Sequence, residues 1–210
     1  VGTGVWSGTG VSFATANDAN ATVSTTNPGT YTLTWTETNG ACTDFESVDV
    51  TLLNPITSIV TPSCTGVVVQ LMGGHPELFG SNYSISNILP VTASLSSTSI
   101  SHNGTVLFTD LVEGDMYSFD VVDDNGCLHS ISGGPFVATP VANAGLDDDV
   151  CSFSYDLNAI PSLGVGTWTA TGPSGPLFSN TNANSPTATA TVTAAGSYTF
   201  TWTEDNLGCI

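Results

Sequence analysis

The sequence predicts an all-β chain built from antiparallel β-sandwiches in tandem, and three observations carry that prediction. Short segments alternate Thr with apolar residues, which is the period-two pattern of a half-buried strand. Clusters of Gly, Pro, Asn and Asp separate these segments about every ten residues, as the turns of a sandwich do. No segment shows sustained helical periodicity. Hydrophobic residues make up 40% of the 210 residues, so the chain has enough apolar surface to bury a core.

The charge of the chain excludes several classes of partner and reaction. It contains no Lys and no Arg but 18 Asp and Glu residues, which gives a formal net charge of −18. Binding to nucleic acid or to anionic lipid depends on Lys and Arg, so we expect neither as a partner. Schiff-base chemistry and phosphoryl transfer through Arg or a P-loop Lys are excluded for the same reason. No apolar run is long enough to span a bilayer, so membrane insertion is not expected.

The two ends of the chain carry the same motif in the same order. A Gly-x-Trp segment is followed by a Tyr-Thr-x-Thr-Trp-Thr-Glu strand and then by Cys. In both copies Tyr precedes the second Trp by four positions, and Cys follows that Trp by seven. The match predicts one type of domain that occurs twice. Its motif residues are 4–6, 31–37 and 42 in the first copy, and 166–168, 198–204 and 209 in the second.

Each copy is predicted to contain a strand with one buried face. Residues 30–36 and 197–203 place Tyr, Leu or Phe, and Trp on one face and Thr on the other. In the first copy Asn39-Gly40 is a hairpin signal, and alternation resumes at residues 47–53. Trp6 and Trp168 are flanked by Gly and are expected to be less buried; exposed Trp side chains that stack on sugars remain the alternative. The predicted core residues are Tyr31, Trp35, Tyr198 and Trp202.

Between the two copies lies a different predicted sandwich. Its strands fall at residues 67–71, 105–108 and 116–122, and Asp124-Asn125-Gly126 is predicted to form a turn. Segments that contain Pro55, Pro62 and Pro140 are expected to act as short, stiff linkers. The sequence thus predicts three domains. They comprise residues 1–54, without an N-terminal strand, then 55–139, and then 140–210, which ends at a closing cysteine.

Five cysteines suggest a disulfide framework. Cys64 and Cys127 stand near the start and the end of the middle unit, and Cys151 and Cys209 take the same places in the last. We therefore predict the disulfides Cys64–Cys127 and Cys151–Cys209, each worth about 4 kcal/mol. Cys42 corresponds to Cys209, and we expect its partner outside this sequence, in a longer tandem array. Disulfides predict an extracellular protein, and five free buried thiols are the alternative.

Residues of the middle unit carry a resemblance to a known family. Gly-Gly-His-Pro at 73–76, the segment at 109–117 and the Val-Val-Asp-Asp-Asn-Gly-Cys ending at 121–127 resemble the SprB-type repeat of giant gliding and surface adhesins of Bacteroidota. The flanking copies resemble the Ig-like or PKD-like repeats of the same secreted proteins. The chain departs from the family at residues 77–79, where an aromatic Tyr usually follows the Pro, and in the Ser/Thr stretch at 94–101.

The resemblance implies a tandem array of Ig-like antiparallel β-sandwich domains, joined by short linkers and exported through the type IX pathway. We expect a structural segment of a long, protease-resistant adhesin or filament at the cell surface, and no enzymatic activity. Its expected partners are neighbouring copies or domains of the same protein. One alternative is a module that binds surface glycans or cells through loops 75–83 and 94–103. Another is a fibre subunit that assembles by strand complementation.

Candidate chemical sites are few. The three His residues are scattered among turn residues without a nucleophile motif, so no catalytic residue is predicted. Adjacent carboxylates on extended backbone point in opposite directions, which makes them poor acid/base pairs. Calcium is the single cofactor considered, at a site formed by Asp147, Asp148 and Asp149.

Overall fold

The computed structural model describes residues 2–179 and 183–210. Strands hold 48% of the residues and helix 3%, so the predicted all-β class is confirmed. Each antiparallel sheet lies within one stretch of the chain, around residues 3–52 (the first unit), 57–133 (the middle unit) or 154–205 (the last unit). Within the described residues, no helix has the length and apolar character needed to cross a membrane. The limits of the three domains and their tandem arrangement stay predictions.

The first unit is a three-stranded sheet with a small hairpin beside it. Its strands are β1 (Thr3–Ser7), β2 (Ser12–Phe13), β3 (Val23–Ser24), β4 (Gly29–Asn39) and β5 (Cys42–Leu52). The sheet order is β1-β4-β5, and β2 pairs with β3. Phe13 on the hairpin stacks on Trp6 of the sheet, with 6.3 Å between the ring centroids. Through this stacking contact the hairpin covers part of the sheet.

The middle unit is a sandwich of two four-stranded sheets with orders β6-β7-β11-β9 and β10-β8-β12-β13. Its elements are β6 (Thr57–Ser63), β7 (Gly66–Met72), α1 (Gly74–Phe79), β8 (Asn82–Leu89), β9 (Ser94–Leu95), β10 (Ser99–Ser101), β11 (Thr105–Thr109), β12 (Tyr117–Val122) and β13 (Leu128–Gly133). Side chains alternate between buried and more exposed along β12, as the period-two pattern requires. The sheets meet in one core that includes Val67, Val69, Leu71, Tyr83, Val106, Phe108, Phe119 and Val121.

The last unit has a three-stranded and a two-stranded sheet. Its strands are β14 (Ser154–Asp156), β15 (Val165–Thr171), β16 (Leu177–Ser179), β17 (Thr189–Thr191) and β18 (Thr199–Asp205). The sheet orders are β14-β17-β16 and β15-β18. Side chains from both sheets form one core, which comprises Leu157, Ala159, Trp168, Ala188, Ala190 and Trp202.

The sequence repeat is also a repeat of geometry. Trp6 pairs in register with Trp35, and Trp168 pairs in register with Trp202. The ring centroids lie 5.2 Å apart at 52° in the first pair and 5.1 Å apart at 53° in the second. The two copies therefore place their Trp pairs in the same way.

The tyrosines of the two copies make equivalent hydrogen bonds as well. The Tyr31 hydroxyl donates to the carbonyl of Asn27, and the Tyr198 hydroxyl donates to that of Ala194, both at 2.8 Å. A Tyr that bonds backbone a few residues upstream is the tyrosine corner found in Ig-like sandwiches. The first and last units thus share a local feature of that fold.

Burial of the predicted core residues differs between the copies. Trp202 is buried, with 5% of its surface exposed, whereas Trp35, Tyr31 and Tyr198 are only partly buried. Trp168, which was expected to be less buried, is 2% exposed, so that expectation is wrong. The reason is the opposing layer: a three-stranded sheet covers the Trp pair of the last unit, whereas the two-residue strands β2 and β3 face the pair of the first.

The glycine of each Gly-x-Trp segment leaves room for an indole ring, which allows a test of this core. A Cβ on Gly166 would lie 1.7 Å from Cζ2 of Trp202, far inside contact distance. We expect Gly166→Ala to lower the free energy of unfolding of the last unit by about 3 kcal/mol through overpacking. Urea denaturation followed by tryptophan fluorescence measures the change. Gly175→Ala is the matched control, because a Cβ there meets nothing within 4 Å. Equal effects of the two substitutions would contradict the close packing of Trp202 on Gly166.

Candidate functional site

A disulfide between Cys64 and Cys209 joins the middle unit to the last. Cys64 lies in the turn between β6 and β7, and Cys209 lies in the turn that follows β18. The two Cα atoms are 5.6 Å apart, and the two residues are separated by 145 positions in sequence. The bond therefore closes a loop that includes almost all of both units. We call this contact region the junction.

The predicted disulfide Cys64–Cys127 is wrong, because its two cysteines lie at opposite ends of the middle sandwich. Cys64 follows β6 at one end. Cys127 lies at the other end, where its N–H and that of His75 both donate to the Asp123 carboxylate. A strand of seven residues separates the two ends by roughly 20 Å. A bond between the two cysteines would require the sandwich to come apart.

The predicted disulfide Cys151–Cys209 is wrong for a similar reason. Cys151 precedes β14, and the chain then runs along the last unit before it reaches Ser162. The N–H of Ser162 donates to Glu204, which lies near the junction. Cys151 is exposed and unpaired, as is Cys42, and Cys127 is also unpaired. A partner for Cys42 outside this sequence stays a prediction.

Hydrogen bonds from Asn206 support the disulfide at the junction. Its Nδ2 group donates to Oε2 of Glu113 at 2.9 Å and to the carbonyl of Ala138 at 3.0 Å. The same Glu113 oxygen accepts the N–H of Ala138 at 2.7 Å. Asn206 is 7% exposed although it follows the last strand. The turn that ends β18 therefore docks on the middle unit through one amide and one sulfur.

Glu204 holds β18 against the loop that precedes β15. It is 2% exposed and accepts hydrogen bonds from the indole of Trp202, the N–H and hydroxyl of Ser162 and the N–H of Leu163. Burial raises the pKa of Glu204, but these hydrogen bonds favour the carboxylate, and together they lower its pKa to about 2. The ionised side chain thus ties β18 to the loop before β15.

A cleft of about 400 Å³ lies beside the disulfide. Residues of both units line it, among them Pro62, Tyr117, Pro135, Phe136 and Leu207. The lining is mostly apolar, but Leu207, the large apolar side chain that the last unit contributes, is 87% exposed. The disulfide and the hydrogen bonds of Asn206 therefore make the connection across the junction, and the cleft is open space beside them.

A second cluster of polar side chains lies at the opposite end of the middle unit. His75 Nδ1 is 2.7 Å from Asp124 Oδ1 and 3.3 Å from the hydroxyl of Ser81, which itself donates to Asp124 at 2.9 Å. Asp123, only 4% exposed, accepts the N–H groups of His75, Asn125 and Cys127. Burial alone would raise the pKa of Asp123, but these hydrogen bonds favour the carboxylate and hold its pKa below the ordinary value. The cluster stabilises the turn after β12 against α1.

The two loops predicted to carry ligand specificity meet at this end of the sandwich. The Tyr83 hydroxyl donates to the carbonyl of Gly73 at 2.5 Å and lies 3.4 Å from Nδ1 of His102. Burial, with the negative charges of Glu77 and Asp123, raises the pKa of Tyr83 to about 12. A nearby cleft of about 420 Å³ is lined by residues that include Asn54, Glu77, His102 and Asn103. The structure therefore brings the predicted loops together beside a cleft that has both polar and apolar lining residues.

The structure gives no support to the calcium site. Asp147, Asp148 and Asp149 are exposed and lie on backbone without regular secondary structure. Among residues 2–179 and 183–210, no group of three or more His, Cys, Asp or Glu residues has a geometry that could hold a metal ion. The remaining histidine, His129, lies 3.1 Å from the Ser58 hydroxyl.

Comparison with protein-family models finds no match to this chain, and comparison with curated proteins finds none either.

Sequence reasoning missed Asn206 and Glu113, which belong to different units and come together only at the junction. A signal was present for Glu204, because Trp-Thr-Glu occurs in both copies of the repeat. In the first copy the Trp35 indole donates to Glu37 at 3.0 Å, as the Trp202 indole does to Glu204 at 2.9 Å. The repeat therefore preserves this local contact, whereas the additional donors to Glu204 come from the tertiary structure.

Glu204→Gln tests how strongly the carboxylate holds the last unit. We expect the free energy of unfolding to fall by about 3 kcal/mol at pH 7, because backbone donors lose a charged acceptor. Because folding lowers the pKa of Glu204, its ionised side chain stabilises the folded state fully when the pH is above 4.5, its pKa in the unfolded chain. This stabilisation is lost as the pH falls toward about 2, the pKa in the folded state. Thermal unfolding between pH 7 and pH 2 should show a shallower acid loss in the variant. Glu37→Gln is the matched control. If Glu204→Gln lost stability between pH 7 and pH 2 as steeply as the wild type, the proposed role of the Glu204 carboxylate would be contradicted.

Proposed function

We propose that this chain is a structural segment of a long extracellular adhesin or filament, in which a disulfide across a junction holds consecutive β-sandwiches together. The observation that carries the proposal is the Cys64–Cys209 bond between the middle and last units. Supporting it are the hydrogen bonds that the Asn206 amide donates to the Glu113 carboxylate and to the carbonyl of Ala138.

The position of the bond suits a load-bearing role. A pull on the two ends of the chain passes along the first unit to Cys64, crosses the disulfide and leaves through Cys209. The residues between the two cysteines, which are 145 positions apart, therefore carry none of the force. Closure of a loop of this length also stabilises the folded chain by about 5 kcal/mol through the entropy it removes from the unfolded chain. Both effects favour a segment that resists extension.

The composition suits an extracellular location. Disulfides persist in oxidising compartments, so the bond favours export from the cytosol. Trypsin-like proteases cleave after Lys or Arg, and the sequence contains neither. Like-charged segments repel one another laterally, which keeps neighbouring rods apart. These properties agree with the exported surface proteins that the SprB-type motif implies.

A second candidate function rests on the cleft at the other end of the middle unit. Asn54, Glu77 and His102 contribute amide, carboxylate and imidazole groups to its lining, and it lies where the two predicted loops meet. Such groups can hydrogen-bond the hydroxyls of a neutral glycan, so a ligand-binding adhesin module is the alternative. Glycan-array binding that is lost on His102→Ala would favour it over the purely structural role.

Stretching of single molecules tests the load-bearing proposal directly. We expect the wild-type chain to extend without releasing the residues between Cys64 and Cys209. The double variant Cys64→Ser/Cys209→Ser should release them and gain roughly 500 Å of contour length, because an extended residue spans about 3.4 Å. Force spectroscopy of the whole chain between handles at its two ends measures the gain.

Cys42→Ser/Cys151→Ser is the matched control, because it also removes two cysteines but leaves the junction intact. Its contour length should equal that of the wild type. Equal lengths for all three proteins, or peptide mapping that finds Cys64 and Cys209 reduced in the native protein, would overturn the proposal.

A further inference from the structure

The turn that docks at the junction has a counterpart in the first unit. Asn206 pairs with Cys209 across a two-residue turn after β18, and Asn39 pairs with Cys42 across a two-residue turn between β4 and β5. Each Asn follows its Trp by four positions and each Cys by seven. We call these two segments, 39–42 and 206–209, the first and last Asn-Cys turns.

The strands place both turns in the same position relative to the Trp pair. Glu37 lies opposite Gly4, and Glu204 lies opposite Gly166, so the strand registers agree up to the turn. The turns differ in backbone detail, since Leu207 and Gly208 both have positive φ, whereas in the first turn Gly40 does. Both forms reverse the chain over two residues and bring Asn beside Cys.

Only the last turn has a partner among the described residues. Asn206 and Cys209 are both buried, at 7% and 6% exposed, against Glu113, Ala138 and Cys64. Asn39 and Cys42 are exposed, and the Cys42 thiol is free. The last Asn-Cys turn is therefore docked through its amide and its sulfur, whereas the first Asn-Cys turn has the same two groups exposed.

We propose that the first Asn-Cys turn is a docking element for a sandwich of the middle type whose cysteine at the position of Cys64 is reduced. The acceptor would present a carboxylate and a carbonyl, as Glu113 and Ala138 do, beside that thiol. Within this chain the acceptor is filled by Cys209, so the partner is another sandwich of the same kind. The inference rests on the proposed structural role and extends it, because it makes the junction a repeated connection.

Hydrogen-bonding complementarity supports this partner. The acceptor presents the Glu113 carboxylate, and the chain has no Lys or Arg that could pair with it. Asn39, Gly40, Ala41 and Cys42 are all uncharged, and the nearest carboxylates of the first unit, Glu37 and Asp44, lie opposite each other beyond the turn. The amide of Asn39 supplies the neutral N–H donor that Asn206 uses on Glu113. The first turn thus has the chemistry that the observed acceptor binds.

The covalent step is a thiol–disulfide exchange with a small disulfide oxidant such as oxidised glutathione. The Cys42 thiolate attacks the oxidant and forms a mixed disulfide, with one glutathione thiolate as the leaving group. The thiolate of the acceptor cysteine then attacks the Cys42 sulfur and releases the second glutathione thiolate. Two S–H bonds are lost and one S–S bond forms, while the two electrons reduce the oxidant to two thiols.

Cross-linking between full-length chains tests the proposal. The acceptor chain carries Cys209→Ser, Asn206→Ala and Cys42→Ser, which opens the site at Cys64 and removes its own docking cysteines. It is mixed with wild-type chain in a glutathione redox buffer, and disulfide-linked peptides are quantified by mass spectrometry. We expect the Cys42–Cys64 link between chains to exceed the Cys151–Cys64 link about tenfold, because docking positions only Cys42. Cys151 is the matched control, since it is equally free and exposed.

A second donor separates docking from simple reactivity. Asn39→Ala leaves the thiol of Cys42 in place but removes the amide, and it should lower the rate of the Cys42–Cys64 link about fivefold. Similar yields at Cys42 and Cys151, or an unchanged rate with Asn39→Ala, would overturn the inference.

Reoxidation of reduced wild-type chain gives a test that does not depend on the folding of the acceptor variant. As concentration rises, Cys42–Cys64 links between chains should replace Cys64–Cys209 links within chains, and Cys42→Ser should abolish them. Links distributed evenly over the free thiols at high concentration would contradict docking. If Cys64–Cys209 fails to form at low concentration, the proposed function itself fails; if it forms but Cys42 shows no preference, only the inference fails.

Discussion

Because the chain lacks Lys and Arg, its buried carboxylates must be satisfied by uncharged donors, and this constraint shapes the structure. Backbone N–H groups and an indole hold Glu204, and backbone N–H groups hold Asp123. A flexible Lys could follow a carboxylate, whereas a backbone N–H has its direction fixed by the fold. Asp123 lies in the turn after β12, whereas Glu204 lies on β18 and bonds the loop before β15, and each carboxylate stabilises the local path of the backbone that it bonds.

The same constraint explains how the middle and last units connect. Two acidic surfaces cannot be joined by ion pairs when no cation is present, so their contact must come from neutral groups and covalent bonds. At the junction the amide of Asn206 bonds the carboxylate of Glu113, and Cys64 is linked to Cys209. The sulfur bridge holds together surfaces whose net charges would otherwise drive them apart.

The two copies of the repeat show how far local sequence controls structure. The Trp pairs agree closely between copies because the adjoining strands share one register. The tyrosine hydrogen bonds and the Trp-to-Glu contacts agree because each joins residues only four or two positions apart in the chain. Burial does not agree: Trp202 is buried and Trp35 is only partly so. Burial depends on the layer that packs on the strand, and that layer is larger in the last unit.

The sequence by itself determined the all-β class and the repeat, because alternation, turn residues and fixed spacing are local properties of the chain. It also located the loops around His75 and His102 that meet at one end of the middle unit. Only the tertiary structure decided which cysteines pair and which carboxylates are held. Spacing places a cysteine at the start or end of a unit, but bonding depends on which ends face each other. Cys64 and Cys209 lie at facing ends of neighbouring units, whereas Cys127 lies across a sandwich from Cys64.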